Sequence, residues 1–132
     1  MTHIFEPDAG RFGSSLYRAV RHTRLSPEAW AGFHLAASDR FPGDVDISAE
    51  RRLHGDISRL KNRICFTIQI AGTRITVDPH LDHDQPETVQ HTDIRCPKAG
   101  AGQRDEVESA MDALVDLLRH AVESGTQQHG SP

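Results

Sequence analysis

The sequence predicts an α+β domain in which N-terminal helices precede a central antiparallel β-hairpin or small meander, and a long amphipathic helix follows. Three observations predict this order. Apolar and polar residues alternate over residues 64–70, which is the period of a half-buried strand. A serine, a proline and an acid at positions 26–28 are typical of a helix start. Apolar residues recur at helical spacing over residues 107–118.

The chain of 132 residues has the length of one domain, and its 36 % hydrophobic content is sufficient for one mostly aliphatic core. We predict a flexible arm over residues 1–13, a single domain over residues 14–124 and a disordered tail over residues 125–132. The chain has neither an apolar run of membrane-spanning length nor a signal-peptide pattern at its start. We therefore expect a cytoplasmic protein without a membrane partner.

Two helices are predicted in the N-terminal third of the chain. Residues 14–23 form the first, because Leu16 and Val20 would share one helical face. The second begins where Ser26 can cap the helix and Pro27 fits its first position. Residues 48–61 have apolar residues at helical spacing around a glycine, so helix is favoured there and strand is the alternative.

The predicted hairpin covers residues 63–78, with its turn at Ala71 and Gly72. A bare two-stranded hairpin is marginal in water, so we expect the flanking helices to cover its apolar face. A third strand is predicted over residues 88–96, and the C-terminal helix over residues 104–124.

Charge is divided unevenly along the chain. Residues 1–63 carry a net +2, whereas residues 64–132 carry −6, which gives −4 in all. Three acids on the C-terminal helix fall four residues apart and make one acidic ridge, although like charges at this spacing destabilise a helix. The ridge consists of Glu108, Asp112 and Asp116. It favours our leading hypothesis, a small adaptor, inhibitor or immunity-type protein that binds a basic protein partner through this face.

No motif of nucleophilic catalysis or phosphate binding is present, so we expect no enzyme activity and no cofactor. The chain has thirteen arginines and two lysines, which is typical of a GC-rich bacterial or phage genome. The apolar stripe of the C-terminal helix is wide enough to serve a twofold partner as well as the core, and this width favours a homodimer.

The alternative hypothesis is a dimeric winged-helix DNA-binding regulator, because three short helices before a hairpin match that element order. The segment LSPEAW at residues 25–30 resembles the start of the second helix in MarR-like winged-helix regulators. The resemblance implies a recognition helix whose basic side chains contact DNA. These side chains are Arg51, Arg52, Arg59, Lys61 and Arg63.

A third hypothesis is a metal site in the His- and Asp-rich stretch after the hairpin, since imidazole and carboxylate are ligands for zinc, manganese or iron. The predicted ligands are His80, Asp82, His83 and His91. Residues 78–83 resemble the His-x-His-x-Asp-His motif of metallo-β-lactamase-like hydrolases, with Asp78 in place of the first histidine. The chain is too short for that scaffold, so we expect no such activity from it.

Overall fold

The computed structural model describes residues 4–42, 45–47, 65–81 and 88–130, and the side chains of residues 4–42, 65–80 and 88–124. Six strands and two helices lie in this part of the chain, which confirms the α+β class. In chain order the elements are β1 (Phe5–Phe12), β2 (Ser15–Leu25), α1 (Pro27–Arg40), β3 (Val45–Ile47), β4 (Phe66–Ile70), β5 (Thr73–Leu81), β6 (Val89–Cys96) and α2 (Arg104–Gly130).

The six strands form one sheet in the order β1-β2-β6-β5-β4-β3, and each neighbouring pair is antiparallel. β6 is the last strand in the chain, yet it lies in the middle of the sheet between β2 and β5. The strands β3 to β6 therefore form a meander, and its last strand joins the N-terminal hairpin of β1 and β2.

The prediction of a helix over residues 14–23 is wrong, because these residues belong to β2. Leu16, Arg18, Val20 and His22 are all buried and alternate with more exposed residues, which is the period of a strand. Two of these four inward side chains are polar, so the period of two was hidden in the sequence. β1 in turn occupies most of residues 1–13, for which we predicted a loose arm.

The described part of the chain therefore begins with strands, and the element order that suggested a winged helix is not the observed one. Residues 48–61, which we assigned to a helix with strand as the alternative, lie outside the described residues. The same holds for the proposed DNA contacts Arg51, Arg52, Arg59, Lys61 and Arg63, so DNA binding stays a prediction.

The predicted hairpin is present as β4 and β5, joined at Ala71 and Gly72, but β5 continues to Leu81, beyond the predicted end at residue 78. Both turn residues have positive φ angles, 51° and 77°, as in the tight turns that match the twist of a hairpin. The third predicted strand is β6. The C-terminal helix is also present, and its backbone continues to Gly130, beyond the predicted end near residue 124.

Both helices pack on one face of the sheet and bury the core against it. Ser26 caps α1 by accepting a hydrogen bond of 3.1 Å from the Ala29 amide, as predicted from the serine before Pro27. The aromatic residues of the core meet between α1 and β4, with ring centroids 5.1 to 6.2 Å apart. They are Trp30, Phe33 and Phe66.

Candidate metal centre

The sheet face opposite the helices carries mostly polar side chains, and we call it the polar face. In β6 the buried residues Thr92 and Ile94 alternate with more exposed residues, so the latter point to the polar face. The register of the neighbouring strands extends this face on both sides. On β2, β6 and β5 it comprises Tyr17, Ala19, Arg21, His91, Asp93, Arg95, Thr76, Asp78 and His80.

Two histidines and one aspartate meet on the polar face, and we call them the His–Asp–His cluster. His80 lies directly across from His91, and their rings are perpendicular with centroids 4.9 Å apart. Asp93 follows His91 by two residues and therefore lies on the same side of β6. Its two carboxylate oxygens lie 2.7 Å from Nε2 of His80 and 2.9 Å from Nε2 of His91. The three side chains are 45 %, 36 % and 24 % exposed, in the order His80, His91, Asp93.

The regular antiparallel register of β5 and β6 places the two histidines opposite each other, because it runs without interruption from the Thr76–Arg95 pair to the His80–His91 pair. Leu81 pairs with Val89, whereas His80 pairs with His91, so Gln90 is an extra residue on β6. The register shift begins only after the His80–His91 pair, so the bulge lies at the edge of the cluster. Bulges of this kind often redirect side chains beside functional sites.

The cluster holds an ionised carboxylate between two imidazole N–H groups. An ionised carboxylate only accepts hydrogen bonds, so Nε2 of both histidines carries the proton in this arrangement. Desolvation by burial raises the pKa of Asp93, but the hydrogen bonds from His91 and His80 outweigh it, and the pKa lies below its usual range. Asp93 is therefore an anion at neutral pH.

The spacing of the cluster fits a single metal ion. One ligand atom from each of the three residues lies within 4.8 Å of the other two. Zinc binds nitrogen and oxygen at about 2.0–2.1 Å, so neighbouring ligands of a tetrahedral ion lie about 3.3 Å apart. The two hydrogen bonds of 2.7 and 2.9 Å need to lengthen by about 0.5 Å on metal binding, which small rotations of exposed side chains supply. The metal would replace the two Nε2 protons.

A second carboxylate lies beside the cluster. Asp78 on β5 lies directly across from Asp93, and like charges at directly opposite positions are destabilising. Nη2 of Arg95 lies 3.2 Å from Asp78 Oδ2 and offsets part of this repulsion. A cation bound at Asp93 would offset more of it.

The structure brings together two of the four predicted metal ligands, His80 and His91. The other two, Asp82 and His83, lie outside the described residues. Asp93 belongs to the same His- and Asp-rich stretch but was not among the four predicted ligands, although a signal for it exists. It follows His91 by two residues within a predicted strand, so the sequence places both side chains on one face.

The acidic ridge on α2 has cationic partners within the chain. Nε of Arg18, on β2, lies 2.9 Å from Asp112 Oδ1, and its Nη2 lies 3.6 Å from Glu108 Oε1. Arg119 binds Asp116 at 2.9 Å. These ion pairs within the chain offset the repulsion between acids that lie four residues apart on the ridge. Asp112 and Asp116 nevertheless remain 66 % and 72 % exposed. Partner binding at the ridge stays a prediction.

A buried histidine, which sequence reasoning missed, lies on β2 among the side chains that face the core. His22 on β2 accepts a hydrogen bond at Nε2 from the Thr92 hydroxyl, and its Nδ1 donates to the Thr23 carbonyl, both at 2.9 Å. Desolvation by burial lowers the pKa of His22 to about 4, despite the opposing backbone hydrogen bond. His22 is therefore neutral at physiological pH. Its proton lies on Nδ1, which donates to the Thr23 carbonyl, and its Nε2 accepts from the Thr92 hydroxyl.

A groove of about 280 Å³ lies between α1 and α2, in the helical layer of the molecule. Its walls are mostly apolar, with Phe33 and Leu117 as the largest side chains. Its polar side chains, Glu28, His120 and Ser124, lack the mutual hydrogen bonds seen in the His–Asp–His cluster among the described contacts. The chemistry of the polar face therefore makes the better candidate site.

The chain shows no significant match to protein-family models, to curated proteins or to solved structures. In the part of the chain that the structure describes, neither helix combines the length and apolar character needed to cross a membrane.

Proposed function

We propose that this protein binds a divalent transition metal ion of the zinc class at His80, His91 and Asp93. The single observation that carries the proposal is the convergence of two cross-strand Nε2 atoms on one carboxylate. Two imidazoles and one carboxylate are the donor set of zinc and ferrous sites that keep coordination positions open. Calcium and magnesium prefer oxygen ligands throughout, so this donor set disfavours them.

The charge at the site supports a cation. The hydrogen bonds hold Asp93 in its anionic form, and Asp78 adds a carboxylate directly across the strand pair. The two histidines are metal ligands only when neutral, so metal binding releases protons and weakens as the pH falls. The proposal thus predicts one equivalent of metal, bound more tightly at pH 7.5 than at pH 5.5.

Isothermal titration with zinc on the full chain, with metal content measured after dialysis, tests the proposal. We expect His80→Gln, His91→Gln and Asp93→Asn each to weaken zinc binding by at least about 100-fold, since loss of a direct ligand exceeds the effect of losing an outer partner. These side chains are part-exposed, so the variants should keep the wild-type fold, which circular dichroism checks.

His120→Gln is the matched control, because His120 is an exposed histidine on α2, in the helical layer on the other face of the sheet. It should bind zinc as the wild type does. Equal affinity in all four variants would mean that the chain binds zinc elsewhere, and no uptake by the wild type would leave the cluster as a hydrogen-bonded network only. Either result contradicts the proposal.

A further inference from the structure

A groove opens at one end of the polar face, where the pairing of β5 with β6 stops. The pairing reaches Thr76 on β5 and does not include the residues of β5 before it. Pro97 follows β6 directly, and proline has no N–H group with which to continue the ladder. The chain then turns towards the start of β2, where the Ala99 amide donates to the Ser14 carbonyl at 2.9 Å. A groove of about 440 Å³ remains beside the first residues of β5.

Basic and hydroxyl side chains line this groove, and we call it the basic groove. Arg74 and Thr76 lie two residues apart on β5, so their side chains point to the same face of the sheet. Lys98 reaches the groove from the segment after β6. The other lining residues are Gly72, Thr73 and Pro97. Among the described residues that line the groove none carries a carboxylate, so the groove is locally positive on a chain whose net charge is −4.

The two cations of the basic groove have no anionic partner in the part of the chain that the structure describes. Four arginines of that part form ion pairs with carboxylates, whereas neither Arg74 nor Lys98 does. Among the described contacts the Thr76 hydroxyl also donates to no other group. The donors of all three side chains are therefore available to a ligand, and an anion between the two cations would offset their mutual repulsion.

The wall of the groove that is formed by the turn between β4 and β5 is held in place. Thr73 is only 8 % exposed, and its Oγ1 donates to Gln103 Oε1 at 2.9 Å. Gln103 Nε2 in turn donates to the Ala71 carbonyl at 2.6 Å. A preformed wall lowers the entropy that binding costs. The cost that remains is mainly the ordering of the two exposed basic side chains, Arg74 and Lys98.

We propose that the basic groove binds the phosphate group of a small phosphate monoester through Arg74, Lys98 and Thr76. The planar guanidinium matches two phosphate oxygens, and the ammonium adds a compact charge with three donors. The volume of the groove lies in the range of about 300–1,000 Å³ that holds small molecules, so the ligand is larger than a free phosphate ion. Pro97 and the aliphatic parts of the two basic side chains supply apolar contacts for its carbon skeleton.

Charge favours a monoester over a nucleic acid as the source of the phosphate. A phosphate monoester carries a charge of about −1.5 to −2 at neutral pH, which matches the two cations of the groove. Each phosphodiester of a nucleic acid carries a single negative charge, and many such charges lie close together along the strand. The chain carries a net −4, so its surface outside the groove repels a polyanion more than a small ligand.

An NMR titration of the full chain, labelled with nitrogen-15, tests the inference in the presence of a metal chelator. Phenyl phosphate is the monoester probe, inorganic phosphate is the free ion, and a single-stranded oligothymidylate is the nucleic acid. We expect phenyl phosphate to shift the amide signals of Arg74, Thr76 and Lys98 and to bind most tightly of the three probes. Arg74→Gln and Lys98→Gln should each raise its Kd by about tenfold, and Thr76→Val by about threefold, because a hydrogen bond between charged groups contributes more than one from a hydroxyl.

Arg40→Gln is the matched control. It also removes one exposed positive charge, but Arg40 lies at the end of α1, in the helical layer. This variant should bind phenyl phosphate as the wild type does. All four replaced side chains are exposed or half-buried, so the variants should keep the fold, which the dispersion of the same NMR spectra checks.

Three results would overturn the inference. If phenyl phosphate shifts none of the three amide signals, the groove is not a phosphate site. An equal Kd in all four variants means that net charge, and not the groove, attracts the anion. If phenyl phosphate binds no more tightly than the other two probes, the groove takes a free ion or a nucleic acid instead of a monoester. None of these results bears on the proposed metal centre, because the chelator removes the ion and Arg74 lies six residues from His80 on β5, about 20 Å away.

Discussion

His22 lies in the core with both ring nitrogens hydrogen-bonded, and its side chain makes stability depend on pH. Because burial lowers its pKa to about 4 from an ordinary 6.5, the unfolded chain binds more protons between these two values. The contribution of His22 to the free energy of unfolding is therefore complete above pH 6.5, and it is lost as the pH falls towards 4. We expect the free energy of unfolding to be lower by about 2 kcal/mol at pH 5 than at pH 7 from this residue.

Urea denaturation at the two pH values measures this difference. His22→Gln should remove most of it, even if the variant is less stable overall, because glutamine does not titrate. His120→Gln, at an exposed position, should keep the wild-type difference. An unchanged pH dependence in His22→Gln would show that the lowered pKa belongs to another group.

At the scale of elements, Arg18 links β2 to α2 through its ion pairs with Asp112 and Glu108. Its side chain is only 8 % exposed and also donates from Nη1 to the Tyr17 carbonyl at 3.0 Å. We expect Asp112→Asn to lower the free energy of unfolding by about 1 kcal/mol, since a nearly buried guanidinium then loses its closest anion. The cost stays moderate because Glu108 remains near.

Asp116→Asn is the comparison for that variant, because its ion pair with Arg119 is exposed and lies within one helix. Such pairs contribute less than about 0.5 kcal/mol. Chemical denaturation of both variants at neutral pH distinguishes the two positions. Equal effects would contradict a special role of Arg18.

Whether a strand could be predicted from the sequence depends on whether its inward side chains are apolar, and Arg18 is an inward side chain that is not. Where the inward residues are apolar, as with Phe66 and Ile68 on β4, the alternation predicted the strand. On β2 the inward side chains include Arg18 and His22, whose partners come from α2 and β6, 94 and 70 residues away. A local pattern contains no information about such distant partners, so β2 resembled a short helix.

At the scale of the whole molecule, metal binding should stabilise the fold. A ligand that binds only the folded state at 100 times its Kd adds about 2.7 kcal/mol to the free energy of unfolding. We expect zinc at this concentration to have that effect on the wild type and almost none on Asp93→Asn. Thermal or urea denaturation with and without zinc measures it. A loss of stability in the presence of zinc would mean that the unfolded chain, with its nine histidines, binds the ion better.

The candidate site could be predicted only in part, because the sequence shows residue types and strand period but not the register between strands. The composition of residues 78–93 indicated metal-binding side chains, and the strand period places His91 and Asp93 on one face. The pairing of His80 with His91 depends on the register of β5 against β6. A short turn of known type fixes such a register, but residues 82–88 separate these two strands, so the sequence does not define it. The three-dimensional structure was therefore needed to select the ligands.

The position of β6 between β2 and β5 has a consequence for how fast the protein folds. The cluster lies within one local hairpin, whereas the contact between His22 and Thr92 joins residues 70 positions apart. Closing so long a loop costs entropy before any contact forms, and proteins rich in such contacts fold slowly. We therefore expect the hairpin of β5 and β6 to form early, and β1 and β2 to join the sheet later, in the slow step of folding.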